Sequence, residues 1–205
     1  MPESLGDEFK GDIADLTSAI KTGDILCARA IMCTKEHDLV VELNGLKGII
    51  PRSETAMGIV EGKTREIAVL SRVGRQVCFT VEDISAPEGF DVLLSRKKAQ
   101  MSAFKRLCEL PDGEVIQAVV THLTAFGAFV DIGCGITSMV GIENISAARI
   151  STPADRFEVG QEIFVAIRGY EGDHILLSHK ELLGTWAENA ARFSAGETVA
   201  GIVRG

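Results

Sequence analysis

The residues in this chain best suited to chemistry are two phenylalanines three apart, in the run Phe126-Gly127-Ala128-Phe129-Val130-Asp131. Side chains alternate across a strand, so Ala128, Val130 and Ile132 share one face while Phe129 and Asp131 point the other way. The first set is the apolar face a small sheet must bury. Phe129 then stands outward, with Phe126 just before it at the mouth of the preceding loop. An exposed aromatic pair is a platform on which unpaired bases stack, at about 1–3 kcal/mol per base and with little regard for base identity. The competing reading is that both rings cover a loop or pack beneath a neighbouring helix.

Other chemistry has little support. The four histidines, His37, His122, His174 and His179, lack metal-ligand spacing, and the chain has no G-x-S-x-G elbow and no Walker-type phosphate loop. The five cysteines, Cys27, Cys33, Cys78, Cys108 and Cys134, are odd in number and contain no C-x-x-C pair. They are expected to be small buried reduced thiols. No enzymatic activity, cofactor or metal is therefore expected.

The elements that must position the aromatic run come from a repeat. Gly23-Asp24-Ile25 recurs as Gly113-Glu114-Val115, and Gly48-Ile49-Ile50 as Gly141-Ile142-Glu143. Val73-Gly74 recurs as Val159-Gly160, and Val92-Leu93-Leu94-Ser95 as Ile175-Leu176-Leu177-Ser178. Short strands bounded by Gly, Pro and Asn are expected at 25–33, 39–43, 47–51, 76–83 and 91–95, and again at 114–123, 127–132, 139–144, 162–169 and 174–178. Five strands with a long connection between the third and fourth is the strand count of an OB barrel. The predicted fold class is mostly β, two OB barrels joined and flanked by short helices. Phe9, Ile13, Leu16 and Ile20 form a helical stripe that Gly23 ends. Met101, Phe104 and Cys108 form a second, and Leu182, Trp186, Ala190 and Phe193 a third. The predicted units are a helix over 1–22, barrels over 23–98 and 113–181, a helical connector over 99–112, and a tail over 182–205. Gly196-Glu197-Thr198-Val199 reopens the repeat, so a truncated third copy of a longer protein is expected.

Composition sets the limits. At 205 residues with 46% hydrophobic and 24% charged residues, the chain is ordinary globular material, not collagen-like, disordered or a disulfide scaffold. The formal charge of -8 repels phosphate at long range, so any nucleic-acid role must rest on local features. Acids outnumber bases eleven to eight over 23–94 and ten to four over 112–183. The connector reverses this, with Arg96, Lys97, Lys98, Lys105 and Arg106 against Glu109 alone. It is either a track for an RNA backbone or a solvated helix face. With no signal-like start and no run long enough to span a bilayer, a cytoplasmic protein without a membrane partner is expected. Separately cored barrels need no partner to fold, so a monomer is expected.

The combined pattern is similar to the S1 RNA-binding domain family. The second repeat carries Gly113-Glu114-Val115, Phe126–Val130, Gly141-Ile142-Glu143-Asn144-Ile145-Ser146, Val159-Gly160-Gln161 and Leu177-Ser178. The resemblance covers 23–98 and 113–181. It implies an RNA face made of the two aromatics, a histidine position on the third strand, and polar residues on the fourth and fifth strands. Carried over, these are Phe126, Phe129, Asn144, Arg168 and His174. In the first repeat the corresponding residues are Glu36, Leu39, Pro51, Glu82 and Asp91, which offer nothing to stack on and, at the last two positions, place carboxylates that repel phosphate. The first barrel is expected to serve docking or structure, as in multi-domain ribosomal members of the family. The implied function is binding of single-stranded messenger RNA in translation, with the small ribosomal subunit as a further partner. The alternatives are a protein-docking array and the RNA-targeting arm of an enzyme encoded further along.

Overall fold

The structure is a computed structural model that describes residues 2–198 apart from 173, 185, 192 and 193. Two five-stranded β units follow one another. The first comprises β1 (Leu26–Cys33), β2 (Leu39–Leu43), β3 (Leu46–Ile50), β4 (Gln76–Asp83) and β5 (Val92–Ser95). They close in the order β1-β2-β3-β5-β4, with β3 and β5 parallel. The second comprises β6 (Val115–Thr124), β7 (Gly127–Asp131), β8 (Thr137–Gly141), β9 (Glu162–Glu171) and β10 (His174–Ser178), ordered β10-β9-β6-β7-β8. Its two edges meet where Ser138 Oγ donates to Ile175 O at 2.5 Å. Both are the OB barrels the repeat predicts.

Period-two alternation builds each core. Leu39, Val41 and Leu43 are buried against Ile50, Phe79 and Leu94 in the first barrel. Ala128, Val130 and Ile132 are buried against Val165, Ile167 and Leu177 in the second. The strand ends differ from expectation in two places. β8 stops at Gly141, and Ile142–Asn144 form a 3-10 turn instead of a strand. That turn drops Ile145, fully buried, into the barrel core. β9 continues to Glu171, so it stays paired with β10 out to Glu171 opposite His174 and no long loop intervenes.

The helices carry corrected faces. α1 spans Ile13–Thr22, capped at its start by Asp12, whose Oδ1 accepts from Ala14 and Asp15, and ended by Gly23 at φ 69°. Phe9 lies outside it, its amide donating to Cys27 O. Leu16 and Ala19 are the buried residues, while Ile13 is 54% exposed. The buried face is therefore Leu16 and Ala19 rather than the predicted stripe through Ile13 and Ile20. α2 is the short Glu66–Leu70 in the first barrel's long link between β3 and β4, and α3 follows β5 directly as Arg96–Cys108. The buried side of α3 is Arg96, Ala99, Gln100 and Leu107, whereas Met101 and Cys108 are exposed. α4 spans Trp186–Ala190. Phe193 and the reopening of the repeat from Val199 lie outside the described residues.

α3 turns a polar face inward because the barrels meet there. Glu3 is buried in the seam. Arg96 Nε and Nη2 donate to its two carboxylate oxygens at 2.7 and 3.1 Å, Arg72 Nη1 at 2.9 Å and the Cys78 amide at 3.2 Å. The second barrel joins through Asp131, which accepts from the Glu3 amide (2.9 Å), and through Cys134 O, which accepts from Arg96 Nη2 and Gln100 Nε2. Burial alone would lower the Arg96 pKa, and the charge and hydrogen bonds of Glu3 hold it above its ordinary value instead.

Candidate nucleic-acid interface

Phe126 and Phe129 come together on the outside of the second barrel, their ring centroids 6.4 Å apart and nearly perpendicular. Phe126 is 59% exposed and Phe129 is half-buried. Gly127 makes this possible. It sits opposite Gly141 on β8, and a Cβ there would lie 2.6 Å from Val140 O. Two further residues complete the surface. His122, opposite Phe129 on β6, places its ring 6.2 Å from that of Phe129. Met139, opposite Phe129 on β8, is 39% exposed. An apolar and aromatic row thus runs across three strands. Sequence reasoning missed both flanking residues. His122 was set aside for lacking metal spacing, although outward alternation beside a predicted stacking strand would have selected it.

Asp131 does not point outward to solvent. It is 6% exposed, accepts from Glu3, Gly133 and Gly135 amides, and belongs to the seam between the barrels. Burial pushes its carboxyl above the usual range against those donors.

Asn144 stands past the end of β8, in the 3-10 turn. Its carbonyl accepts from the His179 amide and its side-chain amide donates to Glu143. It is at the same end of the barrel as Phe126, since the Ile142 amide of this turn donates to Phe126 O. Lys180 reaches the same turn, donating to Glu143 O at 3.1 Å. Arg168 is paired with Glu181 at 3.3 Å and half-exposed. His174 is exposed at the opposite end of β10, four residues or roughly 13 Å from Ser178 at strand rise. Phe126 and Asn144 are thus joined through the turn after β8, Arg168 on β9 is paired with Glu181, and His174 starts β10, whose Ile175 carbonyl meets Ser138 on β8.

The two barrels can be aligned on their hydrogen-bond ladders. Both first strands carry a bulge at the same place, between Ala30 and Met32 and between Val120 and His122. Met32 opposite Val40 thus matches His122 opposite Phe129. The partner of Phe129 in the first barrel is Val40, not Leu39, and three residues earlier stands His37 rather than Glu36. Leu39 faces the core, and Val40 is itself only 2% exposed. Pro51 and Gly141 each directly precede a 3-10 turn. Gly141, not Asn144, therefore matches Pro51, and Gly48 matches Ser138. The repeated Gly-Ile pair misled the sequence alignment by three residues. Glu82 and Asp91 keep their places opposite Arg168 and His174.

The basic connector is largely consumed by structure. Arg96 is buried on Glu3 and Lys98 pairs with Glu82. Lys105 and Arg106 remain exposed, which favours the solvated-face reading over a continuous phosphate track.

A five-stranded barrel that carries an aromatic pair on its outer surface has the architecture of an OB-type module. Residues 109–180 match the S1 RNA binding domain family. The chain carries a domain of this family, and it resembles the small ribosomal subunit protein bS1 of bacteria. It is 32% identical to that protein of Staphylococcus aureus over 173 residues, 80% of this chain and 42% of the relative. The Leuconostoc lactis protein is 32% identical over 196 residues, 89% of this chain and 42% of the relative. The Bacillus cereus homolog is 33% identical over 177 residues, 81% and 43%. The chain thus spans less than half the length of these relatives. Among the described residues, no helix is long and apolar enough to cross a membrane.

Proposed function

We propose that this chain binds single-stranded RNA without enzymatic action, holding it on the second barrel by stacking bases on Phe126 and Phe129. The observation that carries this reading is the exposed ring pair, extended by His122 and Met139, in a domain matching an RNA-binding family. A protein-docking array would be expected to bury the two rings at an interface, and nothing among the described residues covers Phe126. Asn144 and Lys180, at the turn whose Ile142 amide bonds Phe126, supply hydrogen-bond donors, with Arg168 on β9 and His174 on β10 as further polar contacts. The first barrel serves as the docking or structural member, because Val40 is buried where Phe129 is only half-buried. Messenger RNA in translation is the process, with the small ribosomal subunit as partner, in keeping with the relatives.

The test is titration of a fluorescent single-stranded RNA of about 10–20 nucleotides, one or two OB footprints, with the parent and with Phe126→Ala/Phe129→Ala. At about 1–3 kcal/mol per stacked base, the double variant is expected to bind at least ~30-fold more weakly while remaining folded. With Lys180 and Arg168 as the cations on this barrel that meet phosphate, the salt slope is expected to be shallow, about -1 to -2 in log–log form. Equal affinity of parent and double variant refutes the reading. Ribosome and messenger-RNA co-sedimentation of the longer protein tests the assignment to translation.

A further inference from the structure

The seam between the barrels holds three thiols that the RNA-binding reading does not use. Cys27 on β1, Cys78 on β4 and Cys134 after β7 are each less than a tenth exposed and pack as one cluster. They line a cavity of about 310 Å³ together with Ile25, Ile132 and Arg106. Cys27 and Cys78 are direct antiparallel partners, with their sulfurs 2.6 Å apart. Such partners have Cα atoms about 4.5–5.5 Å apart, inside the range a disulfide spans. Among the described residues, no group of three or more His, Cys, Asp or Glu is arranged to hold a metal ion. The arrangement therefore suits oxidation better than metal ligation.

We propose that the three thiols form an oxidation site at which a hydroperoxide is reduced to its alcohol and Cys27 and Cys78 are left joined as a disulfide. The cavity admits the peroxide. Cys134 lines the cavity and packs on the other two thiols, its own thiol lowered by the contact with Cys78 and that of Cys78 held high by its bonds to Cys134 and Cys27. The Cys134 thiolate attacks the peroxide oxygen, the O–O bond breaks, and the alcohol leaves carrying one proton. Cys78 sulfur then attacks the Cys134 sulfenic acid, forming an S–S bond and expelling water. Cys27 attacks the Cys78 sulfur and releases Cys134, whose low pKa makes it the better leaving group. The net reaction is two thiols and one hydroperoxide to one disulfide, one alcohol and one water. Because Cys78 also donates its amide to Glu3, the disulfide lies directly beneath the network that joins the barrels.

The full chain is prepared with Cys33→Ser and Cys108→Ser, treated with hydrogen peroxide, and its peptides are mapped without reduction. The expected product is a monomer with the Cys27 and Cys78 peptides linked, two thiols lost and both restored by dithiothreitol. In Cys134→Ala on the same background, linking by peroxide is expected to slow at least ten-fold, while diamide, which needs no peroxide-accepting thiol, still joins Cys27 to Cys78. Three results each overturn the proposal: the pair staying reduced in folded protein under both oxidants, a final product that retains Cys134 in the link, or a Cys134→Ala rate equal to that of its parent.

Discussion

Replacing Glu3 by glutamine keeps the side chain's shape and removes one charge from the seam. Arg96, with its side chain 4% exposed, then loses its counter-ion while still buried, and Arg72, 26% exposed, loses its partner at the rim. Removing one member of a buried pair typically costs about 3–5 kcal/mol, most of it the uncompensated charge left behind. The Arg72 contact adds little, because solvent screens it. With a urea slope of about 2 kcal/mol per molar, the midpoint is expected to fall by roughly 1.5–2.5 M, followed by circular dichroism. Replacing both partners, as Glu3→Leu/Arg96→Met, is expected to recover much of the loss, since an apolar pair can substitute for a buried ion pair. A shift of less than about 0.5 kcal/mol for Glu3→Gln, or additive single and double variants, refutes the claim that this pair joins the barrels.

Two further outcomes follow from the corrected registers. Leu39→Ala, in the closed first barrel, is expected to cost about 2–5 kcal/mol, whereas Phe126→Ala on the open face is expected to change stability by no more than about 0.5 kcal/mol; chemical denaturation of both decides whether Leu39 faces inward. Asp131 is held above its ordinary pKa by burial, so its favourable contribution is present below the unfolded carboxylate value and is lost as pH rises through the raised folded value. Relative to Asp131→Asn, the parent is therefore expected to be more stable near pH 3.5 than near pH 7 by equilibrium denaturation. A parent advantage that grows with pH contradicts this.

The five-strand count of each barrel, their cores and the aromatic platform were all legible in the sequence, because alternation, turn residues and the repeat are local signals. Ala128, Val130 and Ile132 face inward and Phe126 and Phe129 share a surface for reasons contained in seven consecutive residues. What the sequence misplaced is what long-range pairing decides. Phe129 is matched to Val40 by ladder bulges at Ala30 and Val120, which leave no mark in composition, and a three-residue alignment slip costs nothing until hydrogen bonds fix the register. Asp131 and Arg96 look like surface charges by pattern, yet Glu3, distant from both along the chain, buries them by supplying the partners that make burial tolerable. His122 joins the aromatic face only because β6 lies beside β7. The barrels and the ring pair follow from local pattern, whereas which charges are solvated, that His122 joins the rings, and that three scattered cysteines meet at one seam depend on contacts between segments that the chain separates and folding brings together.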